Sequence, residues 1–280
     1  MTSLLVLDAV ALLIAAELAR RRVLTTQLRD FVVVVLLLPV FFFAFAWAKT
    51  TLVPPFTWDA RLASLDRWLH GTDPYLLLPR SPGVLAFLES GYWTWHLAHI
   101  GLVCWIAYRT DTRERHSAWL AYILTWIGLG VVLASLVPSA GPVYTAEYAD
   151  SFPRTWFHGH LWDSAARGDV FIGSGVSAFP SLHVAVPVLG ACLSWKSSRW
   201  LSAAWLGFTA FILWGAVSLG WHWAVDGYAS ILVVPVIAWL AGRAGRRRPA
   251  PGEEMPSGRS ATRSPVPEAR SPRHRARSAS

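Results

Sequence analysis

Two short segments of the chain contain residue types that can carry out nucleophilic and acid–base chemistry. The first, Phe-Pro-Ser-Leu-His, ends at His183, and the second, Trp-His-Trp-Ala-Val-Asp, contains His222 and Asp226. Because His222 and Asp226 are four residues apart, a helix that begins near Trp221 would place them on one face. The carboxylate would then fix the imidazole tautomer and leave the other ring nitrogen free. This arrangement predicts covalent catalysis by histidine.

The segment before His183 is suited to binding an anion. Ser181 is placed to cap a helix that His183 begins, and the free N–H groups of a first helical turn attract phosphate. Gly175, in the sequence Phe-Ile-Gly-Ser-Gly, lets the backbone approach an anion closely. We therefore predict that Ser181 and Gly175 bind phosphate and that His183 donates a proton to a leaving oxygen.

The elements that position these residues belong to a membrane protein. Of the 280 residues, 54% are hydrophobic and 15% are charged, which excludes a single soluble domain of this length. Seven runs approach the roughly 20 apolar residues that cross a bilayer as a helix. They cover residues 3–19, 31–48, 91–108, 118–137, 182–195, 200–217 and 224–241. The expected fold is an all-α polytopic bundle of about seven transmembrane helices, with a six-helix catalytic core after an N-terminal helix.

The basic residues predict the orientation of this bundle. Nineteen of the 25 Lys and Arg residues lie before residue 30, in the connections 109–115 and 196–199, or after residue 242. Since short cytoplasmic loops collect such residues, the N-terminus is expected outside and the C-terminus in the cytoplasm. His183, His222 and Asp226 then lie at the extracytoplasmic face of a multi-pass cell membrane. The excess of Arg over Lys favours a GC-rich bacterial genome, and therefore a bacterial inner membrane.

The chain is expected to consist of two regions. Residues 1–242 form the membrane-embedded domain, and residues 243–280 form an Arg/Pro/Ser-rich tail whose composition predicts disorder. Ten Arg and three Glu in the tail account for +7 of the formal charge of +8. A basic segment after a last membrane helix anchors the topology and binds anionic lipid. No nucleic-acid partner is expected, because aromatic and basic residues do not alternate in the tail.

One outer connection contains an amphipathic segment, Trp-Asp-Ala-Arg-Leu-Ala-Ser-Leu-Asp-Arg-Trp-Leu-His-Gly. Leu62, Leu65 and Leu69 recur at helical spacing, opposite Arg61 and Asp66. Such a helix either lies flat on the outer membrane surface or packs over the mouth of the bundle.

The two histidine segments together resemble a known family. Pro-Ser-Leu-His, ending at His183, resembles the Pro-Ser-Gly-His motif of the type 2 phosphatidic acid phosphatase superfamily, and Leu-Gly-Trp-His-Trp-Ala-Val-Asp resembles the end of its third motif. Leu182 in place of Gly is closer to the branch that includes the inositol phosphorylceramide synthases. A Pro-rich turn that ends at Tyr144, a candidate pocket residue, is also similar to that branch. The resemblance covers about residues 138–241.

This resemblance implies phosphoryl transfer on a membrane lipid, without a metal or another cofactor. The substrate would be a phospholipid, a polyprenyl phosphate or a sphingolipid. His222 would attack phosphorus and form a phosphohistidine, Asp226 would orient it, and His183 would protonate the departing oxygen. Water as the acceptor gives a phosphatase, whereas a lipid or sugar hydroxyl gives a phosphotransferase. Trp221 and Trp223, which flank His222, would shield the pocket from water.

The cations of the superfamily pattern are missing from this sequence. Its first motif, a Lys followed after six residues by Arg-Pro, has no counterpart here, and Ala216 stands where the third motif has an Arg. In-line phosphoryl transfer requires positive charge around the phosphate oxygens. We predict that Lys49, Arg154 and Arg167 supply it.

The remaining histidines and acids leave other functions open. His158, His160 and Asp163 would hold a metal in a metal-dependent hydrolase, but a solvated loop is favoured, because no third ligand stands at a recognisable spacing. His96 and His99 are expected to face the bundle interior, either as headgroup-pocket residues or as hydrogen-bonded structural histidines.

A transporter is the third class of function. In it, the two histidines and the aspartate of the predicted catalytic cluster would form a proton relay. The sequence lacks paired broken helices in corresponding halves, which counts against a transporter.

Overall fold

The computed structural model of the chain describes residues 26–52 and 55–247. Within these residues the chain is helical, with short 3-10 turns and no β-strand. The α-helices are α1 Thr26–Leu52, α2 Asp59–His70, α3 Pro82–Tyr92, α4 Thr94–Ala107, α5 Thr112–Ile127, α6 Trp156–Arg167, α7 Leu182–Ser194, α8 Arg199–Ser218 and α9 Ala224–Arg247. Helix α5 continues through a π-helical segment, Gly128–Leu133, and a last turn, Ala134–Leu136. The predicted all-α fold is confirmed for the described residues.

Several helices are long and apolar enough to cross a membrane. The candidate spans are Phe31–Leu52, Thr112–Leu136, Arg199–Ser218 and Ala224–Gly245, and the apolar helix α7 is shorter. These helices indicate a membrane protein. The predicted count of seven spans is not confirmed, because the run 3–19 lies outside the described residues and the run 91–108 is divided at Trp93. The predicted disordered tail lies outside the described residues from residue 248 onward.

Capping side chains determine where five of the helices begin. A side-chain oxygen before each helix accepts a hydrogen bond from a free backbone N–H of the first turn. The pairs are Ser81 with Val84, Asp111 with Glu114, Thr155 with His158, Ser181 with Val184, and Ser198 with Leu201. Helix α7 therefore begins directly after Ser181, and His183 lies in its first turn.

The main hydrophobic core lies between α3, α4, α5, α7, α8 and α9. Helix α7 packs against α8 and α9, and α9 also packs against α5. The contact between α7 and α8 is close, because a Cβ at Gly190 would lie 2.5 Å from the ring of Trp205. Buried residues occur along most of α7, so the element that begins at the Pro-Ser-Leu-His segment is held on several sides.

Helix α2 packs over the end of the bundle at which α9 begins. Leu62, Ala63 and Asp66 are buried, whereas Leu65 and Leu69 are 42% and 48% exposed. Of the two predicted positions for this segment, the structure therefore shows the one over the bundle. The predicted apolar face is wrong in part, since Asp66 points inward and two of the three leucines point outward.

The inward position of Asp66 has a direct physical cause. Its carboxylate oxygens accept hydrogen bonds from the backbone N–H groups of Ala224, at 2.8 Å, and Val225, at 3.0 Å. These N–H groups are among the four that α9 leaves without an intrahelical partner. The carboxylate thus caps a helix that begins 158 residues later in the sequence.

Candidate active site

The starts of α7 and α9 are joined by hydrogen bonds. The N–H of Ser181 donates to the carbonyl of Asp226 at 3.1 Å, and the hydroxyl of Ser230 donates to the carbonyl of Ser181 at 2.8 Å. The ring centroids of His183 and His222 are 5.8 Å apart. The structure therefore brings together four residues that the sequence pattern singles out: Ser181, His183, His222 and Asp226.

The buried ring of His222 is held by a backbone carbonyl. Its Nδ1 donates to the carbonyl oxygen of Ala178 at 2.8 Å, whereas the nearest carboxylate oxygen of Asp226 is 3.5 Å from the same nitrogen. Because a carbonyl oxygen can only accept, Nδ1 carries the proton and Nε2 keeps its lone pair. This tautomer leaves Nε2 of His222 available as a nucleophile.

The shortest hydrogen bond of the Asp226 carboxylate is with a backbone N–H rather than, as predicted from the sequence, with the ring of His222. Helix α9 begins at Ala224 rather than near Trp221, so Asp226 lies in its first turn and His222 precedes the helix. Its Oδ2 accepts the backbone N–H of Trp223 at 2.9 Å, and its buried Oδ1 has no hydrogen-bond partner in the described part of the chain. Asp226 therefore caps its own helix while placing negative charge 3.5 Å from His222.

The ring of His183 lies between two aromatic side chains. Its centroid is 4.9 Å from the ring of Tyr92 and 4.7 Å from that of Trp95, and the Trp95 indole donates to the His183 carbonyl at 2.9 Å. These contacts hold the ring by its faces and its backbone. Among the described residues no hydrogen bond engages its nitrogens, which leaves them free to meet a substrate oxygen.

Lys49 is the predicted cation whose charge acts on His183. Its side chain runs along Gly175, where an added Cβ would lie 3.2 Å from Lys49 Cγ and 3.3 Å from Cδ. Gly175 also has a φ of 87°, in the left-handed region that favours glycine. Lys49 and His183 are close enough for their charges to interact. Lys49 and Gly175 therefore lie against each other, and phosphate binding by both stays a prediction.

The two predicted arginines show no such contact. Arg167 is exposed at the end of α6, where its Nε donates to Asp169 at 2.9 Å. Arg154 is also exposed, and its charge acts on His158. In the described residues neither guanidinium contacts the histidine pair, and phosphate binding by Arg154 and Arg167 stays a prediction.

His99 and His96 occupy different surroundings. His99 is buried, its Nε2 lies 2.7 Å from the hydroxyl of Tyr122, and its ring packs on Trp126. It has the contacts of a hydrogen-bonded structural histidine. His96 is exposed and stacks on Trp93, so the expectation that it faces the bundle interior is wrong.

Three aromatic pocket candidates take part in contacts between the segment around His222 and other parts of the chain. The ring of Trp221 stacks on that of His158 with centroids 3.8 Å apart, and the hydroxyl of Tyr144 donates to the His158 carbonyl at 3.1 Å. The indole of Trp223 donates to Asp59 at 2.9 Å. Tyr144, Trp221 and Trp223 thus each make a hydrogen bond or a ring contact within the protein.

The geometry gives no support to a metal site at His158, His160 and Asp163. His158 Nδ1 accepts the backbone N–H of Thr155 at 3.1 Å, which completes a capping box at the start of α6. Burial, and then the nearby Arg154, lower the pKa of His158 to about 4. Within residues 26–52 and 55–247, no three His, Cys, Asp or Glu side chains are grouped to hold a metal ion.

Arg80 is a cation near the site that sequence reasoning missed. It donates to the carbonyl of Ser218 at 3.3 Å and to that of Ser151 at 2.6 Å, and it packs over the rings of Tyr75 and Phe152. Burial lowers the pKa of Arg80. These contacts brace the end of α8 at Ser218, four residues before the candidate nucleophile His222.

The hydrogen-bonding roles of the Asp59 and Asp66 carboxylates were also not predicted from the sequence. Burial raises the pKa of Asp66, and the two N–H donors of α9 act in the opposite direction. Asp59 and Asp66 are seven residues apart, two turns of α2, and so share one face of that helix. That spacing was a signal in the sequence, but the leucine pattern argued for the opposite face.

Comparison with known proteins identifies one family. The family model described as the PAP2 superfamily matches residues 60–240, which is more than half of the chain. No curated protein and no solved structure matches the chain significantly. The matched region contains both histidines of the pair and most of α2.

Proposed function

Because the chain belongs to the PAP2 superfamily, we propose that it transfers phosphoryl groups from lipid phosphates or phosphodiesters through a phosphohistidine at His222. Membership of the superfamily indicates phosphatase or phosphotransferase activity on phosphate esters. The observation that carries the finer proposal is the 2.8 Å hydrogen bond from Nδ1 of His222 to the Ala178 carbonyl. It leaves Nε2 with a lone pair beside His183, which is the arrangement that a histidine nucleophile needs.

The first half-reaction forms the phosphohistidine. Nε2 of His222 attacks phosphorus, the bond from phosphorus to the leaving oxygen breaks, and the His183 imidazolium gives its proton to that oxygen. The proton on Nδ1 stays in place, and the Ala178 carbonyl and the Asp226 carboxylate stabilise the positive ring. Lys49 and the free N–H groups at the start of α7 offset the charge of the phosphate oxygens.

The second half-reaction returns the enzyme to its starting state. Water or an acceptor hydroxyl attacks phosphorus, the bond from phosphorus to Nε2 of His222 breaks, and neutral His183 takes the proton of the acceptor. The sequence around Leu182 supports placing the chain with the inositol phosphorylceramide synthase-like branch, in which the acceptor is a hydroxyl. The test below separates the two acceptors.

We further propose that the site faces the extracytoplasmic side of a bacterial inner membrane. The histidine pair lies where α7 and α9 begin, and basic residues lie at the other ends of these and neighbouring helices. They include Arg109, Lys196, Arg199 and Arg243. Because basic loops remain in the cytoplasm, that distribution supports a cytoplasmic C-terminus, with the basic tail on anionic lipid.

The experiment measures release of inorganic phosphate from a panel of lipid phosphates by the detergent-purified full chain in the presence of EDTA. Loss of release in both His222→Ala and His183→Ala, with release retained in the His160→Ala control, is the expected result. Release that persists in both variants contradicts the proposal. If the wild type releases no phosphate, a headgroup-exchange assay with labelled phosphodiester lipids is the second test. Exchange identifies a phosphotransferase. Absence of exchange as well contradicts both a phosphatase and a phosphotransferase.

A further inference from the structure

The carbonyl that accepts the His222 proton belongs to a residue with no polar side chain. Ala178 lies in the irregular segment between α6 and α7 and is 1% exposed. Its own N–H donates to the carbonyl of Ser139 at 2.8 Å. The backbone direction at Ala178, and hence the position of its carbonyl oxygen, therefore depends on the turn that contains Ser139.

One carboxylate holds that turn. Oδ1 of Asp59 accepts the hydroxyl of Ser139 at 2.7 Å and the N–H of Gly141 at 2.9 Å, and Oδ2 accepts the N–H of Ala140 at 3.0 Å. Gly141 has a φ of 98°, and a Cβ there would lie 2.6 Å from the Trp221 carbonyl. The turn is thus pressed against the backbone next to His222, and only glycine fits the contact.

The Asp59 carboxylate also holds Trp223, the residue that follows His222. The indole Nε1 of Trp223 donates to Oδ1 of Asp59 at 2.9 Å. Four donors therefore occupy Asp59, and a carboxylate has about four lone-pair sites. Hydrogen bonds to an ionised acceptor are about twice as strong as neutral ones, so an amide at this position is a poor substitute.

We propose that Asp59 is a positioning residue that fixes the tautomer of His222 through Ser139 and Ala178. Asp59 sets the turn, the turn sets the backbone of Ala178, and the Ala178 carbonyl keeps the proton on Nδ1 of His222. Asp59 touches neither the substrate nor the reacting nitrogen. The effect on turnover rests on the function proposed above, whereas the effect on the tautomer does not.

A spectroscopic experiment tests the tautomer directly. The full chain is labelled with 15N-histidine and studied by NMR in detergent, and the His222 signals are assigned by their loss in His222→Ala. The wild type is expected to show a protonated Nδ1 and a bare Nε2. Asp59→Asn is expected to show a mixture of the two tautomers, while Asp163→Asn, at an exposed site on α6, leaves the wild-type pattern.

Kinetics separate positioning from a structural role. Asp59→Asn is expected to lower kcat about 100-fold with little change in KM, because a small misplacement of a reacting group costs about this factor. Asp59→Glu, which keeps the carboxylate, is expected to recover part of the loss. A merely structural role would lower the amount of folded protein and leave kcat per folded molecule unchanged.

Two milder variants keep the proposal testable if Asp59→Asn does not fold. Ser139→Ala and Trp223→Phe each remove one hydrogen bond to Asp59 and leave the backbone intact. Both are expected to shift the tautomer in the same direction by a smaller amount. A wild-type tautomer in every folded variant overturns the proposal. A shifted tautomer in a protein that acts on no phosphate ester supports positioning and contradicts the proposed function.

Discussion

Replacing Asp66 with alanine removes the cap that α2 provides for α9. The carboxylate is 1% exposed and accepts two backbone N–H groups, at 2.8 Å from Ala224 and 3.0 Å from Val225. Hydrogen bonds to a charged group contribute about 1.5–3 kcal/mol each, or about 3–6 kcal/mol for the pair. Burial of the carboxylate, which also raises the pKa of Asp66, offsets part of this gain. We expect Asp66→Ala to lower the free energy of unfolding by about 2–4 kcal/mol.

The assay is denaturant unfolding of the detergent-solubilised protein, followed by far-UV circular dichroism. Asp66→Asn retains one acceptor oxygen, so its loss is expected to be about half of that of the alanine variant. Asp150→Ala is the control, since that carboxylate is exposed and its removal should change stability by less than about 0.5 kcal/mol. A wild-type unfolding free energy for Asp66→Ala, or an equal loss in the control, would refute the capping role.

Three further predictions concern the site and its surroundings. Lys49→Met is expected to lower kcat/KM by about 10²-fold, because a cation no longer faces the phosphate. The control Lys196→Met is expected to leave kcat/KM unchanged. Equal effects of the two variants would contradict a role for Lys49 at the phosphate. Gly175→Ala is expected to reduce turnover, because an alanine at a φ of 87° is strained by about 1–2 kcal/mol and its Cβ presses on Lys49. Wild-type turnover in this variant would contradict the close contact between Gly175 and Lys49. The free energy of unfolding is expected to fall between pH 6.5 and about 4, by at most about 3 kcal/mol, because unfolded His158 binds a proton in this range and the folded residue does not. His158→Asn should flatten this part of the pH profile, and a profile that only His160→Asn flattens would show that the assignment is wrong.

The parts of the fold that follow from local sequence were predictable. The all-α fold and the apolar helices follow from runs of apolar residues, and the start of α7 follows from Ser181 as a capping residue. The juxtaposition of His183 and His222 followed from the topology, because both lie at helix ends on the same side of the bundle. Lys49 lies in the last turn of α1, and its role as the cation that meets the phosphate stays a prediction.

The hydrogen bonds that position the site were not predictable in the same way. The acceptor for His222 is the main-chain carbonyl of Ala178, and no residue type marks such a group. The inward direction of Asp66 depends on the unpaired N–H groups of a helix that begins far along the chain, whereas amphipathic periodicity assumes that charges face solvent. Local patterns thus place side chains by polarity, and distant backbone groups can reverse that placement.

Rapid-quench labelling tests the covalent intermediate on His222 most directly. The full chain is mixed with a 32P-labelled lipid phosphate that it turns over, stopped in alkali within one turnover, and separated from lipid. We predict label on the wild-type protein that withstands alkali and is released by acid, as expected for a phosphorus–nitrogen bond, and no label on His222→Ala. A proton relay would form no such adduct. Turnover by the wild type without any protein-bound label, or label that persists on His222→Ala, would contradict the account.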